Sequence, residues 1–561
     1  MSPSSESGPW NPGIQSQVPL ELLHLATIFR PENVFTSIAA AREMRGLTGF
    51  GLSELVVLRP QRLALHELLV RVTADFAVPD GSRIEDLGLN FREIARRLLA
   101  RHLEPQMSSI VAAYQGTRES LQSIVNAALS PLPQGWGPDE IAGLEHGAAH
   151  TTDDLSATAY KVLARVMSAL FATQGHAWGT KDLIATTAVG LACNDCGSDS
   201  IGRAIDPVLR NAAIEEHYKL LPRQERPVVI NTKGPSASGK STLRPLQRKL
   251  AGDIGVQWSD FALISPDIWR KQLLDYASLG AAYKYAGPFT SEELQIIDRK
   301  LDRYMAGKYQ RGEMTHLLID RFRFDSFAPD SDEEGSNLLT RFGQLVYLFF
   351  IITPPELLVE RAWKRGLEFG RYKAVDDTLA HSVEAYSGIP DVFFTWVHRS
   401  DKRIQFEFLD NTVRFGDRPR TVAFGDNHTF NVLDVKGTLD IERYARVYVD
   451  ATAQEFLYAD RASLAPEQNV EFLRRCIESF RWVNFVDQAS GQIYLRIESG
   501  RPVYRDAAAL QAALLNADTL AGIRAVVPAA LGDAVQASDR SAILDAEAAG
   551  RALPTLGQWG R

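Results

Sequence analysis

The stretch Pro227-Val-Val-Ile-Asn-Thr-Lys-Gly234-Pro-Ser-Ala-Ser-Gly239-Lys240-Ser241-Thr242 decides how the chain is read. A short apolar run, the pattern of a buried strand, leads into G-x-x-x-x-G-K-[ST] and then into helix-compatible sequence. The chemistry of phosphate binding asks for these residue types. Gly234 and Gly239 let the backbone turn tightly and approach an anion, so that main-chain N–H groups face it. Lys240 supplies a point charge for the β- and γ-phosphates, and the Ser241 hydroxyl can ligate Mg²⁺. The helix expected to follow adds its positive dipole end. The whole loop, Gly234, Pro235, Ser236, Ala237, Ser238, Gly239, Lys240, Ser241 and Thr242, is therefore expected to hold ATP or another NTP with Mg²⁺.

Downstream, strands and helices alternate. Phe261–Ile264, Thr315–Asp320, Leu345–Ile352 and Arg403–Leu409 are further apolar runs of strand length. Helical patterns lie between them, at Leu243–Ala251, Ile268 to about Leu279, Ser291–Lys308, and after Thr353-Pro-Pro-Glu356, which has capping-box spacing. Pro245 lies beyond the usual first-turn place in the helix after the loop and is expected to kink it. This alternation predicts an α/β fold, a P-loop NTPase domain with a parallel sheet and helices on both faces. Ligands in such sheets sit beyond the carboxyl ends of the strands. Asp267 falls there, one strand after the loop, where a carboxylate can deprotonate an acceptor hydroxyl, serve the Mg²⁺ shell, or cap the helix from Ile268. Asp320 has the placement of a Walker-B aspartate, although Arg321-Phe-Arg-Phe324 follows it in place of a second carboxylate; a substrate-side or metal-shell role stands against a structural salt bridge.

A second signal is Glu360-Arg361-Ala-Trp-Lys364-Arg365-Gly366-Leu-Glu-Phe-Gly370-Arg371. Arg361, Lys364 and Arg365 share a helix face by spacing, and Gly366 and Gly370 suggest a mobile flap carrying Arg371. Guanidinium groups there would neutralise charge on a transferring phosphoryl group, and a lid would exclude water; a solvated basic face is the other reading.

Together, the loop, Ser265-Pro266-Asp267-Ile-Trp-Arg270, the arginine segment and a last strand ending in Asp410-Asn411 resemble the zeta-toxin family of small-molecule kinases, over about residues 227–411. Members phosphorylate a hydroxyl of a UDP-linked amino sugar, and a type III effector of the same fold phosphorylates NAD. The resemblance implies Asp267 as general base, Lys240 and Ser241 as phosphate and Mg²⁺ groups, and two of Arg361, Arg365 and Arg371 as lid arginines. The acceptor it implies is a nucleotide, NAD or a nucleotide-sugar. It also raises an antitoxin or other protein partner, reached through the N-terminal region.

The flanks are less telling. Residues 1–18 are Ser/Pro/Gly-rich without an apolar signal core and read as a disordered leader. Residues 19–221 read as mainly helical, with Leu20–Phe29, Leu63–Phe76, Phe91–Ala100 and Thr158–Leu170 at helical spacing and a hinge at Pro131–Pro138. Residues 222–436 form the kinase-like region. Residues 437–561 read as a small α+β region: a helix over Glu467–Phe485, a hairpin over Gly491–Tyr504, then alanine-rich helices to about Ala552. His146 and His150, followed by Asp153 and Asp154, have metal-compatible types at helical spacing, with a surface or structural role favoured in the absence of a third ligand in a recognised context; Cys193-Asn-Asp-Cys196 is a lone C-x-x-C, read as two unrelated thiols with zinc or redox use as the alternative. A net charge of -8 over 561 residues argues against nucleic acid as a partner. Three cysteines suit a reducing, cytoplasmic setting, and no apolar run is long enough to suggest a membrane span. Delivery into another cell is the alternative for localisation. The expectation is thus an ATP/Mg²⁺-dependent phosphotransferase acting on a small-molecule hydroxyl. Its rival is a nucleotide-gated switch that binds a protein partner through the helical region.

Overall fold

The apolar runs after Pro227 become strands buried on both faces, which is why they read as continuous rather than alternating. In this computed structural model the described residues are 7–83, 85–130, 137–175, 181–321, 338–414, 416–532, 542–544 and 553–560. They fall into two compact units. One comprises residues 1–17, 221–266 and 305–561; the other comprises 18–220 and 267–304.

The first unit is built on one sheet. Its strands are β1 (Val228–Lys233), β2 (Phe261–Ile264), β3 (His316–Asp320), β4 (Leu345–Ile352), β5 (Arg403–Asp410), β6 (Arg420–Asp426), β7 (Thr429–Val432), β8 (Trp482–Val486), β9 (Gln492–Glu498), β10 (Arg501–Arg505) and β11 (Ala542–Ile543). The order across the sheet is β10-β9-β8-β7-β6-β5-β4-β1-β3-β2, with β11 on β9. From β2 to β5 every pairing is parallel, so the carboxyl ends of these five strands share one edge of the sheet. β1 lies between β3 and β4, where the chain's progression across the sheet reverses, the place at which such sheets bind ligands. The α/β expectation holds.

The sheet does not stop at residue 436. β7 pairs with β8 in parallel, and Phe350, Phe393, Phe406, Phe408, Phe430, Phe472 and Phe480 share one aromatic core. Residues 437–561 therefore extend the same layer, which differs from the boundary expected from sequence. β6 and β7 carry less continuous apolar runs, with Arg420, Thr421, Gly425 and Asp426 in one and Thr429 and Asn431 in the other, and had no strand signal in the sequence. The helix expected over 467–485 is only Glu471–Ser479, and the β-branched and aromatic run after Phe480 becomes β8. The hairpin over 491–504 forms as β9 and β10. Part of the expected closing helices, and residues 131–136 of the hinge, lie outside the described residues.

Residues 7–17 are also not a detached leader. Trp10 packs against a cluster of Val359, Leu379, Val447, Ala451 and Leu457, because a large apolar ring gains by leaving water even in a polar segment.

The second unit centres on the helix Pro60–Asp75, buried almost all round. A helix enclosed in this way must pair its charges. The Arg62 guanidinium donates to Glu293 at 2.5 and 2.7 Å, and His66 Nε2 lies 2.6 Å from the same carboxylate. Burial lowers His66 to about 4, so the ring is neutral near pH 7. Lys300 Nζ donates to Ser198 Oγ at 2.6 Å, and Arg71 pairs with Glu67 and Asp206. The bonds of Glu293 and Lys300 join residues 267–304 to the N-terminal helices, so these residues cluster there rather than with the sheet that precedes them in sequence. Leu20–Phe29 forms two short 3₁₀ turns in place of the expected helix. Ile268–Leu279 breaks into a 3₁₀ turn at Pro266–Trp269, a short helix Arg270–Leu273 and further 3₁₀ structure. Among the described residues, no helix is long and apolar enough to cross a membrane.

Candidate nucleotide site

The loop after β1 has the backbone its glycines allow. Gly239 lies at φ 96°, and a Cβ there would meet Asn411 Nδ2 at 2.3 Å. At Gly234 a Cβ would come within 2.9 Å of Ser238 Oγ and 3.1 Å of the Ile351 carbonyl oxygen, so close approach, not only turning, demands glycine. Ala237 also takes a positive φ, 66°, a strained state that side chains rarely adopt and that clusters at ligand-binding turns. Past the loop, a 3₁₀ turn Lys240–Leu243 precedes the α-helix Arg244–Asp253. Pro245 therefore sits in the first turn of that helix and produces no kink, because the loop's 3₁₀ turn delays the helix start.

Lys240 Nζ donates to the carbonyls of Gly234 and Pro235, each at 3.0 Å, which folds the cation back over the loop. Ser241 Oγ donates to Asp320 Oδ2 at 3.2 Å, and Arg244 Nη2 lies 3.6 Å from the same oxygen. Asp320 thus accepts from the loop serine and pairs with Arg244, the salt bridge that was one of the two expectations for it. Its place follows from register: Thr232 of β1 pairs with Asp320 of β3.

The loop rests on residues that sequence patterns did not single out for a role. Asn411 Nδ2 donates to the Ser238 carbonyl at 2.6 Å, and the Asn411 N–H to Ile352 O at 2.9 Å. Thr353, expected as a helix cap, is instead fixed by the buried Tyr386, whose hydroxyl accepts from its N–H and donates to its carbonyl, both at 2.7 Å. The helix Pro355–Phe369 starts without a side-chain cap. Gln247 Nε2 donates to Thr232 Oγ1 at 2.7 Å, tying the helix back to β1. Of these, Asn411 carried a signal in the sequence as a polar residue closing an apolar strand, and Thr353 one for a helix start; Tyr386 and Gln247 carried none.

Arg361 Nη2 donates to Asn411 O at 2.8 Å and to Val413 O at 3.3 Å, which joins the arginine helix to the floor of the loop. Burial pulls its guanidinium below its ordinary pKa, against the attraction of Asp410. Arg365 is one turn further on the same helix and half-buried, whereas Lys364 is exposed. The flap expectation needs correction at Gly366, which is buried within the helix, where a Cβ would meet the Tyr372 ring at 2.6 Å. Only Gly370, at φ 68°, ends the helix. Arg371 follows it, half-buried, in a segment held by Tyr372 packing edge-on against Trp363 and by Lys373 pairing with Asp377.

Asp267 opens the second unit, three residues after β2. Its Oδ1 accepts from Arg270 Nε at 2.9 Å, and Arg270 Nη1 reaches Gly287 O, Thr290 Oγ1 and Ser291 Oγ at 2.7, 2.8 and 3.2 Å. Elsewhere in that unit the His146 and His150 rings stack at 3.8 Å. Cys193 is a free, buried thiol, pushed up to about 11 chiefly by burial. No group of three or more His, Cys, Asp or Glu suited to a metal ion occurs among the described residues.

The residues present fit a nucleotide phosphate and a hard cation. Among the described residues, Ser238 Oγ and Arg361 Nη1 are buried donors without a hydrogen-bond partner, the kind of group that a bound anion would satisfy. Ser241 Oγ and Asp320 Oδ2 form the oxygen pair that Mg²⁺ prefers.

No known family profile matches the sequence, and no curated protein matches it. A solved chain from the PezAT chromosomal toxin–antitoxin system of the human pathogen Streptococcus pneumoniae is similar at 17% identity, over 37% of this chain and 75% of that one. The TM-score is 0.25, too low to bear on fold or function.

Proposed function

We propose that the chain is an ATP/Mg²⁺-dependent phosphotransferase that phosphorylates a hydroxyl of a small molecule, a nucleotide, NAD or nucleotide-sugar being the class its sequence resemblance implies. The observation that carries this reading is the loop Gly234–Thr242 at the carboxyl end of β1, with Lys240 folded over it and Ser241 bonded to Asp320. A bound Mg²⁺ would supply positive charge to the donor phosphates. Ser241 and Asp320 are the residues that would hold it. The loop N–H groups and Lys240 bind the donor phosphates, and Arg361, with Arg365 and Arg371 on the same segment, neutralises charge on the moving group. Asp267 is assigned the general-base role from its place after β2: it takes the acceptor's hydroxyl proton as that oxygen bonds to phosphorus and the bond to the leaving nucleotide breaks. The test is incubation of the full chain with γ-labelled ATP and a metabolite extract. Label in a new small molecule is expected. Label released only as free phosphate overturns the transferase reading in favour of the nucleotide-gated switch.

A further inference from the structure

The segment Leu553–Gly560 lies as a strap against the sheet of the first unit, beside the start of β6. Gln558 bridges Arg420 in parallel, the Thr421 N–H donates to Gln558 O at 3.2 Å, and the Gln558 N–H to Pro419 O at 2.8 Å. Trp559 packs on Phe424 with ring centroids 4.8 Å apart. Beneath the strap is Glu407 of β5, 1% exposed. Its carboxylate accepts from the Leu556 N–H at 2.6 Å, the Gly557 N–H at 2.9 Å and Thr421 Oγ1 at 2.7 Å. Arg418 Nε donates to Leu556 O at 2.6 Å. A side chain at Gly557 has no room: a Cβ would stand 2.4 Å from Thr421 Oγ1 and 2.8 Å from Glu407 Oε1. A buried carboxylate in mid-strand is costly unless satisfied, and two of its three donors come from the strap.

The seat is close in the chain to Asn411, which bonds the nucleotide loop. Between Phe408 and Leu409 the β5–β6 ladder shifts register, an irregularity of the kind that re-aims the residues following it. Those residues are Asp410, paired with Arg420, and Asn411, which bonds the loop at Ser238 and accepts from Arg361. Arg420 is also the residue that the strap bridges, and it reaches Thr412 Oγ1 at 3.2 Å. Contacts therefore run from the strap through Arg420 to Asp410 and Thr412, and through the adjoining Asn411 to the loop, while Glu407, on the same strand as Asp410, seats the strap.

We propose that Glu407 is a positioning residue for the nucleotide loop, and that the strap Leu553–Gly560, seated on it, holds Asn411 where it keeps the loop in its phosphate-binding form. The proposal rests on the reading of Gly234–Thr242 as a nucleotide loop. Strap occupancy and nucleotide affinity are then coupled, and by thermodynamic reciprocity each strengthens the other by the same factor.

The test is calorimetric titration of ATPγS with Mg²⁺ into the full chain, a chain ending at Ala552, and Glu407→Gln. About a tenfold loss of affinity is expected in the truncated chain and in Glu407→Gln, a size typical of coupled sites. A synthetic peptide of residues 553–561 added to the truncated chain restores it. Saturating ATPγS raises that peptide's own affinity for the truncated chain by the factor that the peptide restores, a readout that a purely structural strap would not move. Full-strength ATPγS binding by the truncated chain or by Glu407→Gln overturns the proposal while leaving the nucleotide reading intact. If truncation prevents folding, Glu407→Gln decides. Absence of ATPγS binding by the full chain overturns the nucleotide reading, and the proposal with it.

Discussion

Lys240 is held by two carbonyls of its own loop, so its charge is positioned before any phosphate arrives and little ordering is left to do on binding. Lys240→Ala should therefore weaken ATP affinity at least about tenfold, as expected for loss of a charge-assisted contact. Asp267→Asn should behave in the opposite way, abolishing transfer while the ATP dissociation constant changes less than about twofold. Equilibrium binding and single-turnover transfer measured on both variants separate the roles. Unchanged ATP affinity in Lys240→Ala removes the loop reading, and full transfer by Asp267→Asn removes the base assignment. At this scale the residue types were legible because phosphate chemistry restricts them to a contiguous motif. Tyr386, Thr353 and Arg244 were not, since their roles depend on partners dozens of residues away.

At the scale of the element, β5 carries a titratable group in an unusual place. Burial raises the Glu407 carboxyl from its ordinary 4.5 to about 7, against the Thr421 hydroxyl, the Leu556 and Gly557 N–H groups and the charge of Arg418. Because the folded chain holds this proton more tightly than the unfolded chain, its contribution to stability is whole below about pH 4.5 and is lost as the pH rises through 7. The loss amounts to roughly 3 kcal/mol. Urea unfolding of the full chain and of Glu407→Gln between pH 5 and 8 should show the wild-type advantage shrinking as pH rises. A pH-independent difference would mean that Glu407 does not titrate in this range. The strand itself was legible as an apolar run, but the glutamate within it had no local signal, since its N–H donors lie about 150 residues further along the chain.

At the scale of the molecule, the second unit depends on charges that it has enclosed. Glu293, fully buried, answers both Arg62 and His66. Although burial opposes ionisation, the Arg62 charge and the two side-chain hydrogen bonds hold its carboxyl well below the usual range. Removing it leaves a buried guanidinium without its counter-charge. Glu293→Ala should cost about 3–5 kcal/mol, read as a lowered urea midpoint for the unit, with faster hydrogen exchange in both Pro60–Asp75 and residues 286–304. A change below 1 kcal/mol would show that the ion pair does not anchor residues 267–304.

The sequence by itself determined the α/β class, the five parallel strands and the glycine-rich loop after β1. These follow from local apolar runs and from a motif whose chemistry leaves few choices of residue. Only the tertiary structure decided that the sheet continues through β6–β11, that residues 267–304 cluster with the N-terminal helices, that Trp10 is packed, and that Asn411 and Glu407 stand where they do. The physical reason is common to all of these. Short strands, buried ion pairs and strap contacts gain their stability from partners far away in the chain, and periodicity within a window of neighbours carries no trace of them.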